Sequence, residues 1–210
     1  MTIGVGLLMV ERQLVVVSVM TTGYDPARHA VVEVAARNMV TGKRWEIVAP
    51  LSRSQMEAAD PECLRLGEFG ARGLGERGLR DADVFRDRVA DLADGLARNT
   101  FAGSYPEFDA AFLMNLFGRL GLDVGWHRRM ADIGSLTAGA FGLPATTIPD
   151  LGLCARLWGV HSEPEGSASA LGQVKVTSAC FAEYERYNAG SVAVPLGAPS
   201  GVVIPFRGRG

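Results

Sequence analysis

Histidine and carboxylate side chains ligate metals and transfer protons in most active sites, and this sequence spaces few of them for that purpose. His29, His127 and His161 lie far apart, without the short separations typical of a metal site. We therefore interpret them as surface or packing residues. One short group, Glu163 and Glu165 beside His161, could supply metal ligands if the loop that carries it moved toward a site.

The apolar pattern predicts three strands near the start of the chain. Residues 14–20 form a β-branched run that ends in a glycine turn at 21–23, which is typical of a strand buried on both faces. Residues 30–39 and 43–48 are two more apolar stretches, separated by the turn 40–42, and they predict a hairpin. We expect the three strands to form an antiparallel meander.

The rest of the chain alternates helical and strand patterns. Ser104 to Glu107 offers a cap, an early proline and an acidic first turn to a helix that ends near Gly121. The other predicted helices cover residues 83–96, 135–141, 149–158 and 167–187. Two further strands are predicted at residues 100–103 and 130–133. This order predicts an α/β domain with a mixed central sheet flanked by helices.

The amino-acid composition changes near residue 188 and divides the chain into two parts. Residues 1–187 contain no internal repeat or low-complexity linker, which predicts one domain. Residues 188–210 are rich in Gly, Pro and Val, a composition that disfavours a helix but is too apolar for an ordinary solvated tail. We expect an extended arm that docks on a partner protein, on another copy of the chain or on its own domain. The expected anchors are Val192, Val194, Leu196, Ile204 and Phe206.

Three segments of the sequence follow one another in the same order and at the same spacing as a known set of motifs. They are the first strand and its turn with the following strand (15–26 and 30–35), the Phe-Asp pair in 105–113, and the start of the last helix at 168–173. Together they resemble the DnaQ-like 3′→5′ exonucleases of the DEDD superfamily. The resemblance covers residues 14 to about 187 and implies a ribonuclease H-like fold, with three antiparallel strands followed by two more.

The resemblance also implies a catalytic set of four carboxylates and one histidine around two divalent metals. Those metals activate a water and stabilise the leaving oxygen of the phosphodiester, and the histidine serves as the general base. The family positions correspond here to Ser18, Met20, Asp109, Ala168 and Gln173. Of these, Asp109 alone keeps the family's residue type.

These substitutions predict a site without metal chemistry. Magnesium requires oxygen ligands, usually charged ones, whereas the Met20 thioether is soft and neutral. The Ala168 methyl group cannot move a proton. We therefore expect no intact catalytic residue, no bound metal and no other cofactor. The leading hypothesis is a pseudoenzyme retained as a binding or assembly module.

An active nuclease with rearranged ligands is the alternative hypothesis. Its ligands would be drawn from Asp109, Glu33, Glu163 or Glu165. Simpler structural roles compete with both hypotheses. Asp109 could serve as a first-turn acid that interacts with the helix dipole, Met20 as core packing and Ser18 as a buried hydroxyl. Glu33 lies on a predicted strand, where a hydrogen-bonding role near the site and solvent exposure are both open.

The charge balance argues against a dedicated nucleic-acid protein. The net charge is −2, whereas proteins that bind phosphate backbones usually carry a basic excess. We interpret Arg119, Arg128 and Arg129 as a solvated face and predict weak or absent nucleic-acid binding. The glycine-punctuated region 67–78, which also contains arginines, has no phosphate-loop spacing and is predicted to be a flexible connection.

The apolar runs also bear on location. None reaches the roughly 20 residues of a membrane span, and the first residues lack a secretory signal pattern. We expect a cytoplasmic protein that makes no membrane contact. The preference for Arg over Lys is typical of a GC-rich bacterial or bacteriophage genome, so a structural role in a virion is a compatible hypothesis. Three widely spaced cysteines predict small buried side chains rather than zinc ligands or disulfides, namely Cys63, Cys154 and Cys180.

Overall fold

A mixed five-stranded sheet forms the centre of the protein. The computed structural model describes residues 12–161 and 168–190. The strands are β1 (Leu14–Thr21), β2 (Val31–Asn38), β3 (Arg44–Val48), β4 (Thr100–Gly103) and β5 (His127–Asp132). Their order across the sheet is β3-β2-β1-β4-β5. The first three strands are antiparallel, and β4 and β5 continue the sheet in parallel with β1, so the predicted arrangement of strands is confirmed.

Helices cover both faces of the sheet. They are α1 (Arg53–Glu57), α2 (Pro61–Leu66), α3 (Leu74–Arg77), α4 (Ala82–Leu96), α5 (Pro106–Leu120), α6 (Ile133–Phe141), α7 (Leu151–Trp158) and α8 (Ala170–Gly190). Alternation along β1 sends Val15 and Val17 to the face covered by α4 and α5, and Val16 to the face covered by α7 and α8. The buried valine run of β1 is thus explained by a core on each side, as predicted.

The last helix extends beyond its predicted end. Helix α8 continues through Asn188 and Ala189 to Gly190, whereas the sequence pattern placed its end at Tyr187 and began the extended arm at 188. Adding a residue to an existing helix adds a hydrogen bond, and the first proline after the helix is Pro195, so no helix breaker stands at 188. The five predicted arm anchors (Val192, Val194, Leu196, Ile204 and Phe206) lie outside the described residues.

The glycine-punctuated region is folded, so its prediction as a flexible connection is wrong. Helix α2 precedes it and α3 lies near its end, and Arg72 between them pairs with the buried Glu33 of β2. The sequence carried local signals for the helices that were missed. Ser52 and Gln55 form a reciprocal capping box at α1, and Asp60 caps α2 ahead of Pro61.

No helix in the described parts of the chain is both long enough and apolar enough to cross a bilayer. Cys154 and Cys180 are fully buried in the core, as predicted, and Cys63 is half-buried beside the pocket described below.

Candidate functional site

A pocket of about 330 Å³ opens at the carboxyl end of β1, where α2, α5 and the start of α8 converge. It is lined by four of the five positions that the resemblance marks as catalytic, namely Met20, Asp109, Ala168 and Gln173. Ser18, the fifth, is buried behind the pocket wall and donates a hydrogen bond of 2.8 Å from Oγ to Gln173 Oε1. Residues up to 155 positions apart in sequence therefore meet as the resemblance implies.

Asp109 is the one acid among the described residues that line the pocket. Gly103 at the end of β4 lets the first turn of α5 approach closely, because a Cβ there would lie 3.3 Å from Asp109 Oδ2 and 3.2 Å from the Val17 carbonyl oxygen. Asp109 is 5% exposed and its Oδ1 accepts a hydrogen bond of 3.1 Å from the Val19 backbone N–H. Burial raises the pKa of the Asp109 carboxyl to about 8, against the opposing effect of that hydrogen bond. The side chain is therefore mostly protonated at pH 7.

The start of α5 differs in one respect from the sequence prediction. The residue at the N-cap position is Tyr105, which makes no side-chain capping bond, and Pro106 occupies the first turn. Ser104 lines the pocket instead of capping the helix, so that detail of the prediction is wrong. The fixed backbone angle of proline favours helix initiation even without a side-chain cap.

The side chains of Ser18 and Gln173 are hydrogen-bonded to each other. The hydroxyl donates to the amide oxygen of Gln173 and so occupies one of the two lone pairs of that oxygen. Ser18 is 4% exposed, which agrees with its interpretation as a buried hydroxyl. Met20 is half-buried and packs against apolar residues on the α8 side of the sheet, as core packing predicts. Ala168 contributes only a methyl group to the wall.

Glu33 is a buried structural acid. It is 1% exposed, pairs with Arg72 from the segment between α2 and α3, and accepts a hydrogen bond of 2.5 Å from the Ala170 backbone N–H at the start of α8. Arg72 also donates to the carbonyl oxygens of Gly67 and Ala168, at 3.2 and 3.3 Å. The interpretation of Glu33 as solvent-exposed is therefore wrong. Both of its oxygens hold α8 and the α2–α3 segment against β2.

The mouth of the pocket is aromatic. Tyr105 is 64% exposed and stacks on Phe108, with ring centroids 5.6 Å apart and an interplanar angle of 10°. Tyr24 lies on the other side and is equally exposed. None of the described lining residues is a lysine or an arginine. Burial is the main cause that raises the pKa of the nearby Cys63 thiol, so this group stays protonated at neutral pH and is a poor nucleophile.

Within residues 12–161 and 168–190, no three His, Cys, Asp or Glu side chains come together as a metal site would require. His29 is half-buried against the turn at Asp25, His127 lies on β5, and His161 is exposed after α7. Glu163 and Glu165 lie outside the described residues, so the rearranged-ligand hypothesis is untested at those two positions.

Solved structures share this arrangement of strands and helices. E. coli exonuclease I in complex with a dT13 oligonucleotide matches with a TM-score of 0.65 at 16% identity, over 82% of this chain and 40% of that one. The chain has the fold of the part of exonuclease I that it matches. A moderately thermophilic exonuclease I from Methylocaldum szegediense gives a TM-score of 0.64 at 16% identity, covering 86% of this chain and 42% of that one. The predicted DnaQ-like, ribonuclease H-like fold is confirmed.

The match to exonuclease I concerns the fold. This chain spans less than half the length of the exonuclease I chains that it matches. No family model and no curated protein matches its sequence. A third structure with the exonuclease I fold, described as an ExoI/SSB-Ct complex, has a TM-score of 0.60 at 14% identity over 86% of this chain and 43% of that one.

Sequence reasoning missed Arg72. The residue lies in a segment without apolar periodicity, and its partner Glu33 is 39 positions away. One signal was available, because a carboxylate within an otherwise apolar strand requires a partner if the strand is buried on both faces. That signal predicts a buried cation without saying which of the arginines supplies it.

Proposed function

We propose that this chain is a catalytically inactive DnaQ-like exonuclease homologue that acts as a binding or assembly module. The observation that carries the proposal is the chemical character of the pocket in the fold's catalytic position. Among the described lining residues the single acid is Asp109, which is buried and has a pKa raised to about 8, and the other family positions present a thioether, a methyl group and an amide hydrogen-bonded to Ser18.

The two divalent metals of the family do not fit this donor set. Magnesium requires several hard, mostly charged oxygen ligands, and the described lining of the pocket offers one carboxyl group, that of Asp109. The position of the general base is Ala168, which has no titratable group. No hydrolytic step follows from these described side chains, because they provide neither the set of charged ligands that two metals require nor a general base at position 168.

A nuclease assay tests the proposal. The full chain is incubated with 5′-labelled single-stranded DNA and RNA in magnesium or manganese, beside Asp109→Ala and an active exonuclease as positive control. We expect no digestion by either form of this chain. Metal-dependent digestion that disappears in Asp109→Ala would establish the rearranged-ligand nuclease instead, with ligands drawn from Asp109 and the acids at 163 and 165.

A restored charge set tests the assignment of positions. The combined variant Ser18→Asp, Met20→Glu, Ala168→His and Gln173→Asp places the family's residues around the pocket. We expect it to bind manganese in a calorimetric titration, whereas the unaltered protein does not. Binding of equal strength by both proteins would contradict the proposed loss of metal ligands.

For nucleic acid we propose weak or absent binding at physiological salt. E. coli exonuclease I is described in complex with a dT13 oligonucleotide. In this chain, the described pocket lining has no cation to neutralise a phosphate, although the stacked Tyr105 and Phe108 rings offer a surface for a base. Fluorescence anisotropy with labelled dT13 should show little binding at about 200 mM salt, where phosphate-driven affinity is strongly reduced.

Assembly is proposed to involve the segment after Gly190. Its apolar residues Val192, Val194, Leu196, Ile204 and Phe206 would anchor the chain to a partner or to another copy, for example in a bacteriophage particle. Deletion of residues 191–210 should abolish association in sedimentation velocity experiments while the melting temperature of the domain changes little. Unaltered association after the deletion would contradict this role.

A further inference from the structure

Strand β3 forms one edge of the sheet, and part of its outer backbone is unpaired. At its two ends, β3 bonds to β2 through Asn38 N–H to the Lys43 carbonyl and through Ala49 N–H to the Val32 carbonyl. Because hydrogen-bonded pairs alternate along an antiparallel ladder, the backbone groups that face β2 are those of residues 43, 45, 47 and 49. Residues 44, 46 and 48 therefore point their N–H and C=O groups away from the sheet. The Val48 carbonyl is covered by the Leu79 N–H, whereas no described group bonds the backbone of Arg44 or Glu46.

A groove of about 640 Å³ runs along this edge. Arg88 of α4 borders it on one side of the sheet, and Leu171 and Lys175 of α8 border it on the other. The described lining contains four cations, Arg44, Arg77, Arg88 and Lys175, and one acid, Glu46, which gives a local charge of +3. The chain as a whole carries −2, so positive charge is concentrated beside the open edge.

Two of the arginines at this edge face each other without an acid between them. Arg37 on β2 is the direct cross-strand partner of Arg44 on β3, and neither guanidinium forms an ion pair with a described residue. The Arg37 Nε is buried and has no hydrogen-bond partner among the described residues. Like charges directly opposite each other destabilise a sheet, so an anion bound beside Arg44 would relieve this repulsion.

We propose that the β3 edge binds an acidic segment of a partner protein, which adds to the sheet as a sixth strand. The backbone groups of Arg44 and Glu46 would hold the segment by ladder hydrogen bonds, and Arg44, Arg88 and Lys175 would select acidic side chains. Arg77 is already paired with Glu46 at 3.8 Å. This proposal deepens the binding-module role proposed above by naming the chemistry of the partner. It concerns a different surface from the pocket at the end of β1.

The charge of the groove argues against two other occupants. A second copy of the chain would bring an equally cationic edge against this one, which is repulsive. The chain's own residues 191–210 contain no acidic residue and include Arg207 and Arg209, so the groove would repel them as well. An acidic partner is the occupant whose charge fits.

The probe for the test is a labelled eight-residue peptide that alternates glutamate and valine, acetylated and amidated at its ends. Fluorescence anisotropy at low salt should show saturable binding to the full chain. The double variant Arg44→Glu and Lys175→Glu should weaken binding at least tenfold. Its matched control is Arg128→Glu and Arg129→Glu, which makes the same charge change at the opposite sheet edge, β5. All four side chains are exposed, so both variants should fold, as circular dichroism can verify.

The peptide itself supplies the test of strand addition. Alternate N-methylation removes the backbone donors of one peptide edge at a time and keeps every side chain. We expect one methylated form to lose binding and the other to retain it. Absence of binding by the unmodified peptide, equal weakening by the two double variants, or retention by both methylated forms would each overturn the proposal. None of these outcomes depends on nuclease activity, so they leave the inactive-site proposal independent.

Discussion

The pocket at the end of β1 and the groove along β3 use the same sheet in opposite ways. At the pocket the fold brings together side chains from β1, α5 and α8, but the described lining contains no cation and its one acid, Asp109, has a pKa raised to about 8. Along β3 the fold leaves backbone groups open, and four cations border them. The backbone thus determines where side chains meet, while their charges determine what those places can bind.

Two buried acids near the pocket, Asp109 and Glu33, have different surroundings. Asp109 has one backbone hydrogen bond and no cation, so burial makes its neutral form the stable one. Glu33 on β2 pairs with the Arg72 guanidinium and accepts a hydrogen bond from the first N–H of α8. Ionisation of Asp109 therefore destabilises the folded protein, whereas Glu33 joins β2, the α2–α3 segment and the start of α8.

The largest effect on folding is expected from Arg72→Ala. Removing the guanidinium leaves the Glu33 carboxylate buried without its cation, which should lower the free energy of unfolding by about 3–5 kcal/mol. Urea unfolding followed by tryptophan fluorescence measures the change. The double variant Arg72→Met with Glu33→Gln should recover much of the loss, because no charge remains buried. A loss below about 1 kcal/mol in Arg72→Ala would show that the pair is not important for stability.

Asp109→Asn should stabilise the protein, with a pH dependence of defined sign. Because folding raises this pKa from 3.8 to about 8, the contribution of Asp109 to stability is fully present below pH 3.8 and declines as pH rises toward 8. The variant should gain on the order of 4 kcal/mol at pH 7 and less than about 1 kcal/mol at pH 4. Thermal melts of both proteins across this range measure the difference. A variant that is less stable at pH 7 would contradict the protonated state.

Ser18→Ala should have a moderate effect. It removes the donor to Gln173 Oε1, and the free energy of unfolding should fall by about 1 kcal/mol, the typical size of one intramolecular hydrogen bond. Thr22→Ser is a control that keeps a buried hydroxyl elsewhere. Ser18→Ala should not create manganese binding in a calorimetric titration. If it did, the freed Gln173 oxygen would be acting as a metal ligand, and the pocket would be able to bind a cation after all.

Arg44→Glu should have the smallest effect on folding, and the effect should be stabilising. It replaces the repulsion with Arg37 by an attraction across β2 and β3, which should stabilise the sheet by about 0.2–1 kcal/mol. Arg129→Glu on β5 is the matched control, expected to stay within about 0.5 kcal/mol of the unaltered protein. Equal responses of the two variants in urea unfolding would show that the Arg37 and Arg44 pair is not strained.

Local apolar patterns in the sequence predicted the strands and helices that form the core. The valine run of β1, the hairpin of β2 and β3 and the apolar spacing of α4 lie within a few residues of their predicted positions, since burial requires those periods. The short helices α1 to α3 were missed because they bury little apolar surface. Their cap signals at Ser52 and Asp60 are local and were available in the sequence.

The sequence by itself determined the identity of the side chains at the pocket, because the motif order marked Met20, Ala168 and Gln173 before any contact was known. Only the tertiary structure decided the protonation of Asp109, the partner of Glu33 and the open edge of β3. Each of these depends on which distant groups are brought close and which are shielded from water. Pairing and desolvation are properties of the packed chain, so residue type and spacing alone do not specify them.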